Sequence, residues 1–504
     1  MGADKVPGMA RIAVIGAGMG ALSAAARLAV AGHRVAVYER TDTYGGALRR
    51  FERDGFSFDT GPGLLPLPAV YRDLFVKTGK EPLEACVELV QVDPSSRHVF
   101  ADGTRVSLPN ASRAGVVAAL DEALGSGAGK RWGDFLVRAR EAWDRTRRPL
   151  LEEPLWPNWQ VLAEREPYPA VPHKRLLRTR RAGTLAEVGA WELRDPRLAA
   201  LLEGYALAQG LDPRVTPASA AVLPYMEHAF GTWYVRGGMR ELARAVYERC
   251  LARKVEFRFG AEVTGVLEKD GRASGVELAD GTVAEADFVV AGVAPGVLDR
   301  LTAGHAVRGD GEVPAQRAAA GRLTVLLALR GARPEDTAHR TVVHARDREA
   351  ELDALFGAAA QPAHPTVTVL RPDDPRSAPE DHEAVTLTAV VPARPDLSCD
   401  DLAARMITVA EQALPDLRDR LLWHEVRTPA DIADATGAED GSVPVPALAA
   451  AGGRLLHPSN STRMPGLFAV GGWAHPGGGL PHAGMSGALV AGLIVEGPDF
   501  RGSQ

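Results

Sequence analysis

The chain has 504 residues, 46% of them hydrophobic and 24% charged, which is the balance of a folded globular protein too long for one simple core. A formal net charge of −6 over that length excludes a general nucleic-acid binder, which needs a concentrated positive surface. The three cysteines, Cys86, Cys250 and Cys399, are scattered and make no CxxC, so they fit a reducing, cytoplasmic setting as small buried hydrophobes.

The first element is an apolar run at residues 12–15, suited to a buried parallel strand. GAGMGA follows, placing Gly16 and Gly18 at the first two positions of a dinucleotide fingerprint and Ala21 at the third. An Ala/Leu-rich helix is expected to run to about Val30, closed by Gly32. The second strand, residues 34–38, ends in Glu39, at the spacing where an acid meets a ribose hydroxyl pair. Gly16 permits the tight turn, Gly18 lets the backbone approach a pyrophosphate, and the helix N-terminus supplies partial positive charge. Strand, helix, strand and acid in that order predict a bound dinucleotide.

After Glu39 come two glycine-rich turns separated by a hairpin, within residues 41–68. Residues 125–230 read as mainly helical; GSGAGK at 125–130 has no preceding strand and carries Arg131 where a phosphate loop needs Ser or Thr, so it reads as a loop. Strands are expected at 233–236 and 255–259, then short strands with turns at Asp270-Gly271 and Asp280-Gly281. Alternating apolar residues across 321–391 predict an antiparallel sheet, and 402–422 an amphipathic helix. Residues 465–495 contain no Asp, Glu, Lys or Arg, but Pro476, Pro481 and a run of glycines suit a strand, a loop and a buried helix. No transmembrane helix and no secretion signal are expected. The fold class is α/β: a Rossmann-type domain assembled from residues 1–120, 231–300 and 460–504, interleaved with a mixed α+β substrate domain from 121–230 and 301–459.

Four stretches, GAGMGALSAAARLAVAGHRVAVYER, DGFSFDTGPGLLPLP, FGTWYVRGGM and LFAVGGWAHPGGGLP, together resemble the phytoene desaturase family of FAD-dependent oxidoreductases, within the flavin amine oxidase group. The resemblance runs nearly end to end. It implies FAD, with the ribose on Glu39 beside Arg40 and the pyrophosphate over Gly16, Gly18 and Met19. Gly45 and Gly46 resemble a second glycine turn beside the phosphates, and Thr60, Gly61 and Pro62 a segment against the flavin ring. Arg236, Gly237, Gly238 and Met239 resemble a middle flavin contact, and Val263 the backbone at the adenine edge. Gly471, Gly472, Gly479, Leu480 and Pro481 resemble the loop that closes over ribitol and ring. Two departures stand out. Ala47 occupies the place of the family's arginine after the paired glycines, with Arg49 and Arg50 following later. LPHAGM places His482 beside the flavin loop, which points to a substrate end more polar than plain hydrocarbon, or to a repurposed pocket.

The resemblance implies desaturation of a long apolar, carotenoid-like substrate, with hydride passing to flavin N5 and electrons going on to oxygen or a quinone. The protein must then supply an apolar tunnel and one base; His475, His482 and Glu227 are the candidates. Residues 154–181 set Trp156, Trp159 and Tyr168 beside Lys174, Arg175, Arg178, Arg180 and Arg181, a combination that docks on an anionic bilayer at the inner face of the membrane. Two alternatives stand beside this reading: a flavin oxidase or isomerase on a smaller, more polar molecule such as an amine, and a non-enzymatic prenyl carrier of the same fold.

Overall fold

The computed structural model describes residues 8–173, 178–305, 320–357, 364–392 and 398–502. Strand β1 (Arg11–Ile15), helix α1 (Met19–Val30) and strand β2 (Arg34–Glu39) form the opening βαβ unit. A five-stranded parallel sheet grows from it in the order Glu256–Phe259, β2, β1, Phe288–Ala291, Leu467–Ala469. Ile12, Ala13, Val14 and Ile15 are all buried because both faces of the sheet are covered, and this explains an apolar run without alternation.

Helix α1 is small-residued because it is crowded. Residues 19–26 and Leu28 are buried, and Leu22, Ala25 and Leu28 share a core with Leu242, Val246 and Cys250 of helix α2 (Arg240–Ala252). Helix α3 (Leu480–Glu496) crosses α1 so closely that a Cβ on Gly487 would stand 2.6 Å from the Gly20 carbonyl oxygen. A Cβ on Gly20 would in turn lie 2.6 Å from Gly471 Cα. Only glycine allows this approach.

The second body is a seven-stranded sheet. Its centre is β3 (Ala320–Arg330), β4 (Val367–Leu370) and β5 (His382–Pro392), with β5 between the other two and antiparallel to both. Leu421–Arg427 flanks β3, while Arg340–Val343, Ser96–Val99 and Arg105–Leu108 extend the sheet beyond β4. The two strands from residues 96–108 thus join this sheet although they lie within the N-terminal segment expected to serve the nucleotide domain. One face is apolar: Val325 and Leu327 of β3 with Val385 and Leu387 of β5 pack under Leu402 and Met406 of the helix Cys399–Ala410. On the other face Leu326, Ala328 and Ala384 hold Phe56 and Phe58 of the hairpin 50–59, which fixes the sheet to the N-terminal segment.

Three local expectations are corrected. The helix predicted over 402–422 ends at Ala410; the chain turns ahead of Pro415, which has no N–H to continue a helix, and re-enters the sheet as Leu421–Arg427. In the GSGAGK stretch only the glycine turn is loop, since Ala128 already begins the helix Ala128–Arg147. The aromatic residues of 154–181 are not outward anchors. Tyr168 is fully buried and donates to Glu192 at 2.8 Å, Trp159 packs in a small core with Leu150 and Leu456, and Trp156 is half-buried beneath the Arg501 guanidinium, 3.9 Å away. Lys174 and Arg175 lie outside the described residues. Among the described residues no helix is long and apolar enough to cross a membrane.

Candidate functional site

At the C-terminal edge of β1 the chain turns through Gly16, whose φ of +86° brings it so near Gly292 that a Cβ would lie 3.0 Å from that carbonyl oxygen. Gly18 differs. Its backbone is ordinary extended (φ −72°), yet a Cβ there would meet nothing within 4 Å. It faces open space, and so does Gly471. Helix α1 begins behind Gly18 with buried Met19, with no side-chain cap and no acid in its first turn, so its first N–H groups are left for another acceptor. Gly18 bridges to Gly45, and Gly46 packs so tightly that its Cβ would be 3.0 Å from Gly18 Cα. Bare backbone, unclaimed donors and empty space make a cradle that fits a pyrophosphate.

Glu39 closes one side. Its Oε2 accepts the Ala17 N–H at 2.8 Å, and its Oε1 accepts the Thr41 N–H at 2.9 Å and the Thr41 hydroxyl at 2.8 Å. A carboxylate has about four acceptor sites, so capacity for a ribose remains. The Ala261 N–H donates to the Glu39 carbonyl at 2.9 Å, drawing the segment that leads into Val263 alongside. Arg40 turns away and donates to the Asp434 carbonyl.

From the cradle the contacts lead on to a cavity. Arg240 reaches back from α2 to the carbonyls of Tyr44 and Leu48 and to the Thr43 hydroxyl, holding the Gly45–Gly46 turn. Arg49 Nε donates to the Gly46 carbonyl at 3.1 Å, and the Thr60 N–H to the Arg49 carbonyl at 3.0 Å. Gly61 lies against Ala47, where a Cβ would come 2.3 Å from the carbonyl oxygen; Pro62 follows. Asp59 caps α2, accepting the N–H groups of Met239 at 2.8 Å and Arg240 at 3.3 Å, and loss of water around it pushes its carboxyl up to about 6. Beyond lies a partly open cavity of about 50 Å³. Asp59, Gly61, Tyr234, Gly237 and Gly238 line one side, Thr324, Thr386, Thr388, His339 and Leu370 the sheet side, and Arg50, Asp374 and Arg376 bring charge to it.

The C-terminal loop is held from beneath. Asn460 donates from its amide to the carbonyls of His475 (2.8 Å) and Ala469 (3.1 Å), and Ser486 Oγ accepts the Gly471 N–H at 3.0 Å. A Cβ on Gly472 would press within 2.7 Å of Pro444. The Leu480 carbonyl accepts the Tyr71 hydroxyl at 2.8 Å, and Pro481 stands in the first turn of α3, where a missing N–H costs nothing. His475 is fully buried, its Nε2 2.9 Å from the Glu153 carbonyl and its Nδ1 without a partner; burial drives its pKa down to about 3. His482, behind Gly479, is pushed down to about 4 by burial and by nearby His457. Glu227 lies elsewhere, paired with Arg340 and accepting the Tyr205 hydroxyl at 3.1 Å. Asp59, Arg240, Asn460 and Ser486 escaped the sequence reading. An acid directly before Thr60-Gly61-Pro62 and an arginine directly after the glycine pair and Met239 were the available signals.

The sequence profile of flavin containing amine oxidoreductases matches residues 22–495. The chain is similar to a 4,4'-diapolycopene oxygenase of Methylomonas sp, with 30% identity over 96% of this chain and 98% of the relative. It is also similar to a zeta-carotene-forming phytoene desaturase of Myxococcus xanthus, with 29% identity over 95% of this chain and 93% of the relative. Among solved structures, an oxidoreductase from Methanosarcina mazei shares the fold at a TM-score of 0.63 and 17% identity, covering 95% of this chain and 99% of that one. Profile, full-length relatives and fold agree: the chain belongs to the flavin containing amine oxidoreductase family and is a flavin-dependent oxidoreductase.

Proposed function

We propose that the flavin is FAD and that the enzyme desaturates a long acyclic polyene of the carotenoid class. The observation that carries this reading is the unbroken line of contacts from Gly18 through Gly45–Gly46, Ala47 and Gly61 to the cavity over the antiparallel sheet. It offers a place for a dinucleotide at one end and for a substrate at the other. Relatives named as carotenoid desaturases and oxygenases, similar over nearly their whole length, support the substrate class. A bound flavin would supply the two-electron acceptor for the substrate's hydride, with oxygen or a quinone as the final acceptor.

The residues divide the remaining work. Gly16, Gly18 and the N-terminus of α1 hold the pyrophosphate, Glu39 the ribose, and the backbone near Val263 the adenine edge. Thr60, Gly61, Pro62, Gly238, Gly471 and Gly479 shape the space for the ring. His475, through its contact with the Glu153 carbonyl, keeps the 471–481 loop in place. His482 is the candidate for proton acceptance because no protein group occupies its ring nitrogens among the described residues; burial keeps its imidazole neutral and at the same time makes it a weak base.

The test is the visible spectrum of purified protein loaded with FAD, followed by anaerobic mixing with a detergent-solubilised acyclic polyene. Bleaching of the flavin with a red-shifted polyene product is expected; a flavin that polyenes leave oxidised but amines reduce would replace this reading with an oxidase of polar substrates. The similarity to a named oxygenase favours a second reading, oxygen insertion at a polyene end. Aerobic turnover under labelled oxygen separates the two, because only insertion leaves label in the product.

A further inference from the structure

Helix α2 opens without a cap of its own. A helix usually draws an acceptor for its first N–H groups from the side chain of its N-cap residue, but here that residue is Met239, which makes no such bond. Asp59 supplies the acceptors instead, from 180 residues earlier in the chain, taking the Met239 N–H on Oδ2 and the Arg240 N–H on Oδ1. Asp59 is also the residue directly before Thr60-Gly61-Pro62. One carboxylate therefore ties together two segments that lie far apart in sequence and line the same cavity wall.

The turn ahead of α2 is gripped by charged side chains from other elements. Gly237 (φ +89°) donates its N–H to Asp374 and offers its carbonyl to Arg50. Gly238 (φ +92°) stands so close to Asp59 that a Cβ would lie 2.9 Å from Oδ1. Asp374 also accepts the Tyr234 hydroxyl at 2.9 Å, and Arg50, which faces Asp59 across the hairpin, pairs with Glu241 at 3.1 Å. His339 and Arg376 border the same cavity. Loss of water raises the Asp59 carboxyl to about 6, against the pull of the two N–H groups and of Arg50, and Asp374 adds to the rise. An acid raised in this way weakens the fold at neutral pH, because the unfolded chain ionises it more readily. A neutral side chain at position 239 would cap the helix without that cost, so the carboxylate answers to more than the helix, and it does so at a cleft.

We infer that Asp59 is a positioning residue for the flavin ring: its carboxylate locks residues 60–62 to the turn 237–239 so that the two close on the ring as one piece, while ribose and pyrophosphate are held without it. This rests on the FAD reading above and deepens it. The division of labour follows from the contacts. Glu39, at the ribose end, spends its protein bonds on Ala17 and Thr41. The Gly45–Gly46 turn, at the phosphate end, is held by the Arg240 guanidinium through the carbonyls of Tyr44 and Leu48. Arg240 thus serves the phosphate end with its side chain, and Asp59 serves the ring end with its own.

The experiment is a pair of titrations on the full-length protein freed of flavin. FAD is followed by its fluorescence, and ADP, which carries the adenine, ribose and pyrophosphate but no ring, by calorimetry. Asp59→Asn, which keeps the size of the side chain and removes its charge, is expected to weaken FAD about tenfold or more and ADP less than about twofold. The flavin-free variant should melt no earlier than wild type at pH 7, since the charge that burial opposes is gone. Arg240→Met is expected to weaken FAD and ADP alike. In wild type, FAD affinity should be complete above pH 7 and fall as pH drops through about 6 and Asp59 takes up a proton, with ADP affinity level over the same range; Asp59→Asn should remove the step. Equal weakening of FAD and ADP in Asp59→Asn, with or without an earlier melt, makes Asp59 a helix cap alone and overturns the inference. Unchanged FAD affinity in that variant overturns it too, while leaving the FAD reading intact. If wild type binds neither FAD nor ADP, it is the FAD reading that fails, and the inference falls with it.

Discussion

The two halves of the site are made from different material. The proposed nucleotide cradle is mostly backbone: glycines at 16, 45 and 46 pack close to neighbouring chain, those at 18 and 471 leave open space, and Glu39 is the side chain that faces it while Arg240, Asn460 and Ser486 brace it from behind. The cavity over the antiparallel sheet is side chain, with threonines and Leu370 projecting from strands whose backbone is occupied in pairing and His339 from the bend before Arg340–Val343. A backbone site tolerates little change at a few positions and dictates their identity. A side-chain site keeps its frame while its chemistry changes, so within one fold the cofactor end is constrained and the substrate end is free to vary.

The side-chain half should show the largest single loss of stability. Glu383 is buried between Arg371, which it accepts at 2.6 and 2.8 Å, and Arg420 at 2.9 Å. Glu383→Gln leaves two guanidinium groups short of their counter-charge, and we expect a cost of about 3–5 kcal/mol by chemical denaturation. A loss below ~1 kcal/mol would mean that water replaces the carboxylate and that the sheet is more open than described.

Acid should act next, and on the loop that joins the two halves. Burial lowers His457 to about 4 and His475 to about 3 from the usual 6.5, so the unfolded chain binds protons that the folded one refuses. Their stabilising contribution is therefore complete above pH 6.5 and lost as pH falls toward 4. At pH 5 each should cost about 2 kcal/mol relative to pH 7, visible as a falling denaturation midpoint that His475→Asn makes shallower. A slope of the opposite sign would show that these rings are charged in the fold.

The backbone half offers a sharper contrast between two neighbours. Gly20→Val drives a side chain into Gly471 and is expected to cost about 1–3 kcal/mol or more, with loss of flavin. Glu39→Ala strands the Ala17 N–H, at about 1–3 kcal/mol, and should give folded protein with little flavin. Gly18→Val, whose side chain would enter open space, should leave the melting temperature almost unmoved and the protein colourless. Should Gly18→Val purify yellow, the cradle is not where the pyrophosphate sits.

The same contrast explains what the sequence disclosed. The βαβ unit was legible because its signals are local: an apolar run, a glycine turn, a helix and an acid within residues 11–39. The four glycine-rich stretches gave the family, which the profile and the full-length relatives bear out. The antiparallel sheet also announced itself through alternation in β3 and β5. What stayed hidden depends on pairing at a distance. No local pattern says that Thr324 will face Thr388, that Asp59 will cap a helix beginning at Arg240, or that Tyr168 will be buried against Arg138 and Glu192 rather than turned to a membrane. The early end of the helix at Ala410 was readable from Pro415, but a periodic apolar pattern outweighed it.

The contact between Gly20 and Gly471 also carries a kinetic meaning. It joins the first helix of the nucleotide unit to the loop before α3, two segments far apart in sequence, and contacts of that separation are slow to form because a long loop must be closed first. The first βαβ unit can fold early, but its groove lacks one wall until residues 471–496 dock. If the flavin sits in this groove, as proposed, its capture would be a late step in maturation. A cofactor that bound only the completed form would, by mass action, stabilise that last wall in proportion to its concentration.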